Sequence, residues 1–186
     1  LFIPLLITFG LQNLTPRPVE IAQTIDVKTN PGMTTTVNLP DGTVVHLNSE
    51  SKLSYPSFFD KDKRRVTLEG EAFFEVQKDP EHGFVISAPH ETKIEVLGTS
   101  FNVEAFEKDA FVSTTLVEGK VRFDYIKNGR GTAVLMKPGQ KLTYDSFSSC
   151  VQLTETNGES EIAWKDGKVV FHATPLPEAL RMLEKR

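Results

Sequence analysis

Glu69, Glu71 and Glu75 are the residues whose type and spacing come nearest to chemistry. Carboxylates two apart on one face of a strand stand within the separation that glycoside hydrolysis uses. The competing reading is a solvated face that carries acids for solubility, and it is the stronger of the two. His46, His82, His90 and His172 are scattered singly, without an i, i+4 pair. Cys150 is the sole cysteine, so zinc ligation by paired thiolates and an internal disulfide are both excluded. The chain also lacks a Gly-x-Ser-x-Gly elbow, a phosphate-binding glycine loop and a dinucleotide fingerprint. The expectation is a protein without cofactor, metal or catalytic residues.

Those acids lie in the clearest strand of the sequence, Val66 to Val76. Its even positions are Val, Leu, Gly, Ala, Phe and Val and its odd positions Thr, Glu, Glu, Phe and Glu. Alternate side chains of a strand face opposite ways, so the even set faces a core and the odd set mostly water, with Phe73 breaking the polar side. Gly70 in mid-strand predicts a bend, a bulge or a close approach by another layer. Val37 and Leu39 lead into Pro40-Asp41-Gly42, and Val45 and Leu47 lead out, which predicts a hairpin turned at Asp41 and Gly42. Further strands are expected around Leu53, Phe84, Ile94, Phe101, Val112, Val121, Ala133 and Leu142. Pro138-Gly139 and Asp166-Gly167 mark other turns. Between Val96 and Phe101 the apolar positions change from even to odd, so the chain must bulge or turn there, and Gly98 is the residue able to do it. Gly119 serves the same purpose.

The expected fold is therefore all-β, with many short antiparallel strands in a sandwich, jelly-roll or solenoid-like body over 33–156. The thirteen phenylalanines, including the pairs Phe58-Phe59 and Phe73-Phe74, are read as core rather than as a sugar or lipid platform. Cys150 is expected to be buried. From 157 to 186 the pattern changes to the start of a small α+β domain: a strand at Val169 to Phe171, then an amphipathic helix opened by Thr174-Pro175 and striped by Leu176, Leu180 and Leu183. Trp164 stands at the junction and is read as the plug between the two regions.

With 21 basic against 25 acidic residues, the net charge of −4 would repel a phosphate backbone, so no nucleic-acid partner is expected. Residues 1–14 are uncharged, with the apolar run extending to Leu11, and the first ionisable side chain is Arg17. As a helix they would span about 21 Å of the roughly 30 Å of a bilayer's hydrocarbon, so they read as the end of a transmembrane helix. A signal-peptide core and a buried amphipathic helix are the alternatives. Residues 15–32, ending in Asn30-Pro31-Gly32, read as a linker.

Leu39-Pro40-Asp41-Gly42-Thr43, Leu53-x-Tyr55-Pro56, Val66-x-Leu68-x-Gly70-Glu71-Ala72-Phe73-Phe74-Glu75-Val76, Leu97-Gly98-Thr99-x-Phe101-Asn102-Val103, Glu118-Gly119-x-Val121, Pro138-Gly139-Gln140 and Trp164-x-Asp166-Gly167 resemble, in order and spacing, the periplasmic part of FecR-type anti-sigma factors. His82-Gly83-Phe84 departs from that pattern, which usually has proline before the Phe. The resemblance implies a non-enzymatic, single-pass inner-membrane regulator with this part in the periplasm. It implies two partners: an extracytoplasmic-function (ECF) sigma factor, held through a cytoplasmic segment, and the N-terminal signalling domain of a TonB-dependent outer-membrane transporter. Val169, Phe171, Leu176, Leu180 and Leu183 are then the expected partner-binding residues, as a strand edge or helix groove. A glycan-binding or adhesive β module is the alternative, and a hydrolase on a β scaffold a more distant one.

Overall fold

The computed structural model describes residues 22–60 and 62–171 together with Leu176, Ala179 and Leu180. The apolar N-terminal run, His172, Thr174, Pro175 and Leu183 lie outside the described residues. The strands run β1 (Thr24–Lys28), β2 (Thr35–Asn38), β3 (Val44–Leu47), β4 (Lys52–Pro56), β5 (Lys63–Glu75), β6 (Gly83–Ala88), β7 (Thr92–Val96), β8 (Ser100–Ala105), β9 (Phe111–Glu118), β10 (Val121–Lys127), β11 (Arg130–Met136), β12 (Gln140–Asp145) and β13 (Cys150–Glu155). A one-turn helix α1 (Glu159–Ile162) and a 3-10 turn (Ala163–Asp166) follow.

The strands form two facing sheets. The first has the order β1-β4-β5-β6-β7-β10-β11. The second has the order β2-β3-β5-β8-β9-β12-β13. β5 belongs to both, so one continuous sheet curls on itself. The crossing falls at Gly70, whose φ is +112°. An added Cβ there would sit 2.3 Å from the Ser51 Oγ, so the chain needs both the backbone freedom and the empty space of glycine. Even-numbered residues from Arg64 to Val76 are buried, as the alternation predicts.

β5 is longer than the short strands expected, and its pairing with β6 is parallel, with Lys63 opposite Gly83. The bend explains both. Having passed into the second sheet, the chain returns through residues 76–82 to the end where β5 began, so β6 must run alongside the first half of β5. Gly98, Gly119 and Pro138-Gly139 occupy the corners where the chain changes sheets after β7, β9 and β11. The parity switch between Val96 and Phe101 is such a corner. At Gly98, φ is +146° and a Cβ would meet the Lys78 backbone at 2.7 Å.

Phe74 from the second sheet packs against Phe101 beside it at 5.4 Å and against Phe84 across the sandwich at 6.2 Å. Tyr144 closes the far side on Phe123 and Tyr125, and its hydroxyl donates to the Ile126 carbonyl at 3.2 Å. Full burial of each such ring stabilises the fold by about 1.5–3 kcal/mol, with about 0.5–1.5 kcal/mol more from each ring pair. Thr114 faces this core, and its Oγ1 is buried without a protein partner among the described residues. Thr114→Val keeps the shape and removes the unpaired hydroxyl. It is expected to raise unfolding stability in a urea titration by about 1 kcal/mol.

Three expectations are corrected. The folded body takes in Thr24–Lys28, which composition assigns to the linker: Val27 packs on the core and the strand pairs with β4 over five residues. Cys150 is exposed rather than buried, because β13 is an edge strand and Cys150 begins it beside a turn. Val169 to Phe171 form no strand. A strand exists by pairing, and no described strand lies beside them.

Candidate functional site: a strap across the second sheet

After β13 the chain turns at Gly158 and crosses the outer face of the second sheet from β12 towards β3. Its first contact is polar. Glu161 lies 3.5 Å from Lys141 on β12 and accepts hydrogen bonds from Ser160 (2.9 Å) and Thr156 (3.3 Å). Ala163 and Trp164 then press into the sheet, and Trp164 is only 5% exposed. Lys165 ends the crossing with its ammonium 3.8 Å above the Phe73 ring and 3.7 Å from a Glu75 carboxylate oxygen. The left-handed Gly167 closes the turn, its N–H donating to the Trp164 carbonyl.

Beneath the strap lies a polar chain. The Trp164 indole N–H donates to the Asn102 Oδ1 at 3.3 Å, and the Asn102 Nδ2 donates to one oxygen of Glu71 at 2.9 Å. The Asn48 Nδ2 donates to the other Glu71 oxygen at 2.6 Å. Indole can only donate, so Asn102 must turn its oxygen to Trp164 and its nitrogen to Glu71. Each link therefore fixes the next, and strands β5 and β8, the β3–β4 corner and the strap are held in one register.

The arrangement accounts for the acids first considered. Both Glu71 oxygens are occupied by amides, Glu75 faces His46 at 3.6 Å as well as Lys165, and Glu69 is exposed two residues away. Phe73, the apolar residue on the polar side of β5, is buried because the strap covers it. The other described histidines are dispersed: His82 bonds Asp79 at 2.8 Å and His90 the Asp109 carbonyl at 2.7 Å. Among the described residues no three His, Cys, Asp or Glu side chains gather as metal ligands.

Of the partner-binding candidates, Phe171, Leu176 and Leu180 are exposed and Val169 is half-buried. They follow the strap, and the structure does not gather them with Trp164. Two residues of the site escaped the sequence reading. Asn48 and Asn102 are nine-tenths buried amides in strand context, and burial of such residues requires partners. Their role shows only in the register: Asn102 is paired with Phe73 across β5 and β8 and so shares its face of the sheet.

Burial pushes the Glu161 carboxyl up, but the Lys141 ammonium and the hydrogen bonds from Ser160 and Lys141 outweigh it, so it lies below its ordinary value of 4.5. A depressed carboxyl stabilises the docked strap above the ordinary carboxylate range and loses that contribution as pH falls through the folded value. Trp164 is the only tryptophan, so its emission reports the strap directly. Acid titration is expected to shift the emission red below about pH 4.5. In Glu161→Gln this acid-side transition should shrink; an unchanged midpoint and amplitude would remove Glu161 from the linkage.

The fold is thus a curled β-sandwich with a strap tied to one sheet by polar groups. The chain belongs to the FecR protein family, whose model matches residues 25–122. Two crystal structures of a protein assigned as an anti-sigma factor from Parabacteroides distasonis ATCC 8503, at 2.50 and 1.65 Å, are similar to it at 31% identity. Their TM-scores are 0.79 and 0.78, covering 88% and 87% of this chain and 74% of each of theirs. No curated protein matches the chain significantly.

Proposed function

We propose that this chain is the signal-receiving, envelope-side part of a transmembrane anti-sigma regulator, and that it acts by protein contact without catalysis. It couples the signalling extension of a TonB-dependent outer-membrane transporter to an ECF sigma factor held by a cytoplasmic segment. Family membership and the likeness to a protein assigned as an anti-sigma factor support the regulatory reading. In this reading residues 1–14 belong to a single inner-membrane helix, and the residues that follow the docked strap begin a C-terminal receptor piece. No helix among the described residues is long and apolar enough to cross a membrane.

One observation carries the mechanism: the apolar residues Phe171, Leu176 and Leu180 stand exposed directly beyond a strap that is itself clamped to the sheet through Trp164. A partner that engages them pulls on the clamp, and the sandwich relays the load. Calorimetric titration with the isolated signalling extension of a candidate transporter tests this. Phe171→Asp is expected to weaken binding by about tenfold or more, since it puts a charge into an apolar contact. Undiminished affinity would count against the contact.

A second reading, a glycan-binding module, draws on the hollow of about 670 Å³ at the hairpin end of the sandwich, where Phe111 and the 90% exposed Phe147 stand beside Tyr144. A glycan-array signal lost in Phe147→Ala, without transporter binding, would favour it.

A further inference from the structure

β10 and β11 are joined by Asn128-Gly129, both at positive φ (+52° and +72°), with Lys127 opposite Arg130. This is the two-residue turn that matches strand twist, and Lys127 and Arg130 close it as a hydrogen-bonded pair. Because such pairs alternate along an antiparallel ladder, residues 130, 132, 134 and 136 bond β10, and the N–H and C=O of Gly131, Ala133 and Leu135 point away from it. Among the described residues β11 pairs with β10 alone, so these groups form an open sheet edge.

Exposed edges are normally guarded by charge, proline or brevity. β1 carries Asp26, ion-paired to Lys52, and Lys28, and β2 has four residues; β13 is charged only at its end, by Glu155 bonded to Gln140. β11 has no guard. From Gly131 to Met136 it reads Gly-Thr-Ala-Val-Leu-Met, without charge or proline, and Leu135 is 75% exposed. The ends are cationic, with Lys127 and Arg130 exposed at one and Lys137 at the other.

We infer that β11 is a strand-addition site for an extended segment of a partner protein, one with apolar residues at alternate positions and acidic residues at both ends. The charges select against a second copy of this chain. Antiparallel pairing about Ala133 would set each Arg130 opposite Met136 and beside Lys137 of the other copy, with like charges meeting at both ends. This site is separate from the apolar residues beyond the strap and stands or falls independently of the transporter contact.

The probe is a synthetic nine-residue peptide with an alternating Val/Thr centre and two acidic residues at each end, added to the full chain. Expected are slowed amide exchange at Gly131, Ala133 and Leu135, and binding about tenfold tighter than that of the same peptide with lysine ends. Ala133→Pro removes one outward N–H without breaking the β10 ladder, and should abolish binding while the melting temperature holds. If that variant does not fold, Leu135→Lys, which alters only the open face, should weaken binding instead. The inference is overturned by equal affinity for both peptides, by protection elsewhere, or by no binding below about 1 mM. It is equally overturned by undiminished binding in a folded variant, or by a dimer in sedimentation that Ala133→Pro dissolves.

Discussion

Arg64→Ala is expected to cost about 3–5 kcal/mol of unfolding stability, because it strands a carboxylate that the fold has taken out of water. Arg64 lies at the start of β5 on the buried parity, with its side chain 4% exposed. Its Nη1 donates to the Asp41 Oδ2 and to the Gln77 carbonyl, both at 2.8 Å, and its Nε donates to the His82 carbonyl at 3.0 Å. The guanidinium stacks 5.4 Å from the Phe84 ring centre. Asp41, whose side chain is 12% exposed, also accepts from the Thr43 N–H and hydroxyl, which shapes the β2–β3 turn. One cation thus joins that turn, the return loop after β5 and the first core ring. Against a typical total of about 5–15 kcal/mol, the loss is a large fraction of stability. Guanidinium unfolding of the single variant and of Arg64→Met with Asp41→Asn separates the causes. The double variant should recover part of the loss, since both partners are then neutral; a single variant within about 0.5 kcal/mol of the parent would refute the role.

Trp164→Ala is expected to undock the strap. Removing a buried tryptophan costs about 3–5 kcal/mol, and beside it only Ala163 and Gly158 of the strap are buried, so the remaining contacts cannot hold it. Hydrogen exchange should quicken from Gly158 to Gly167 while the strands keep their protection, because the sandwich core does not include Trp164. Limited proteolysis would then cut within the strap. Trp164→Phe keeps most of the apolar contact but leaves the buried Asn102 oxygen without its donor, so it should cost about 1–3 kcal/mol, less than Trp164→Ala, and leave the strap docked. If Trp164→Ala lowered strap and strand protection together, the strap would be an integral part of the sandwich and could not open alone to relay a signal.

Much of the body was legible in the residues because a half-buried strand writes its own parity. The alternation through β5, the Pro-Asp-Gly turn and the parity switch before Phe101 each correspond to an element with the expected faces. The Asn128-Gly129 hairpin is equally legible, as the strongest short turn signal. The strap was legible only as an anomaly. Phe73 on a polar face and Trp164 at a junction both signalled cover, yet neither names the other across 91 positions, and the Asn102 amide that joins them carries no pattern at all.

By itself, then, the sequence determined the class of fold and the places where the chain turns, since these depend on residues near one another in the chain. Tertiary structure decided that β5 serves two sheets, that β6 runs parallel to it, that Arg64 on the apolar parity is a paired cation, and that Glu71 is a hydrogen-bond acceptor in a clamp. Contacts between residues twenty or more positions apart have no local signature; their energy exists only once the curl of the sheet has closed the distance.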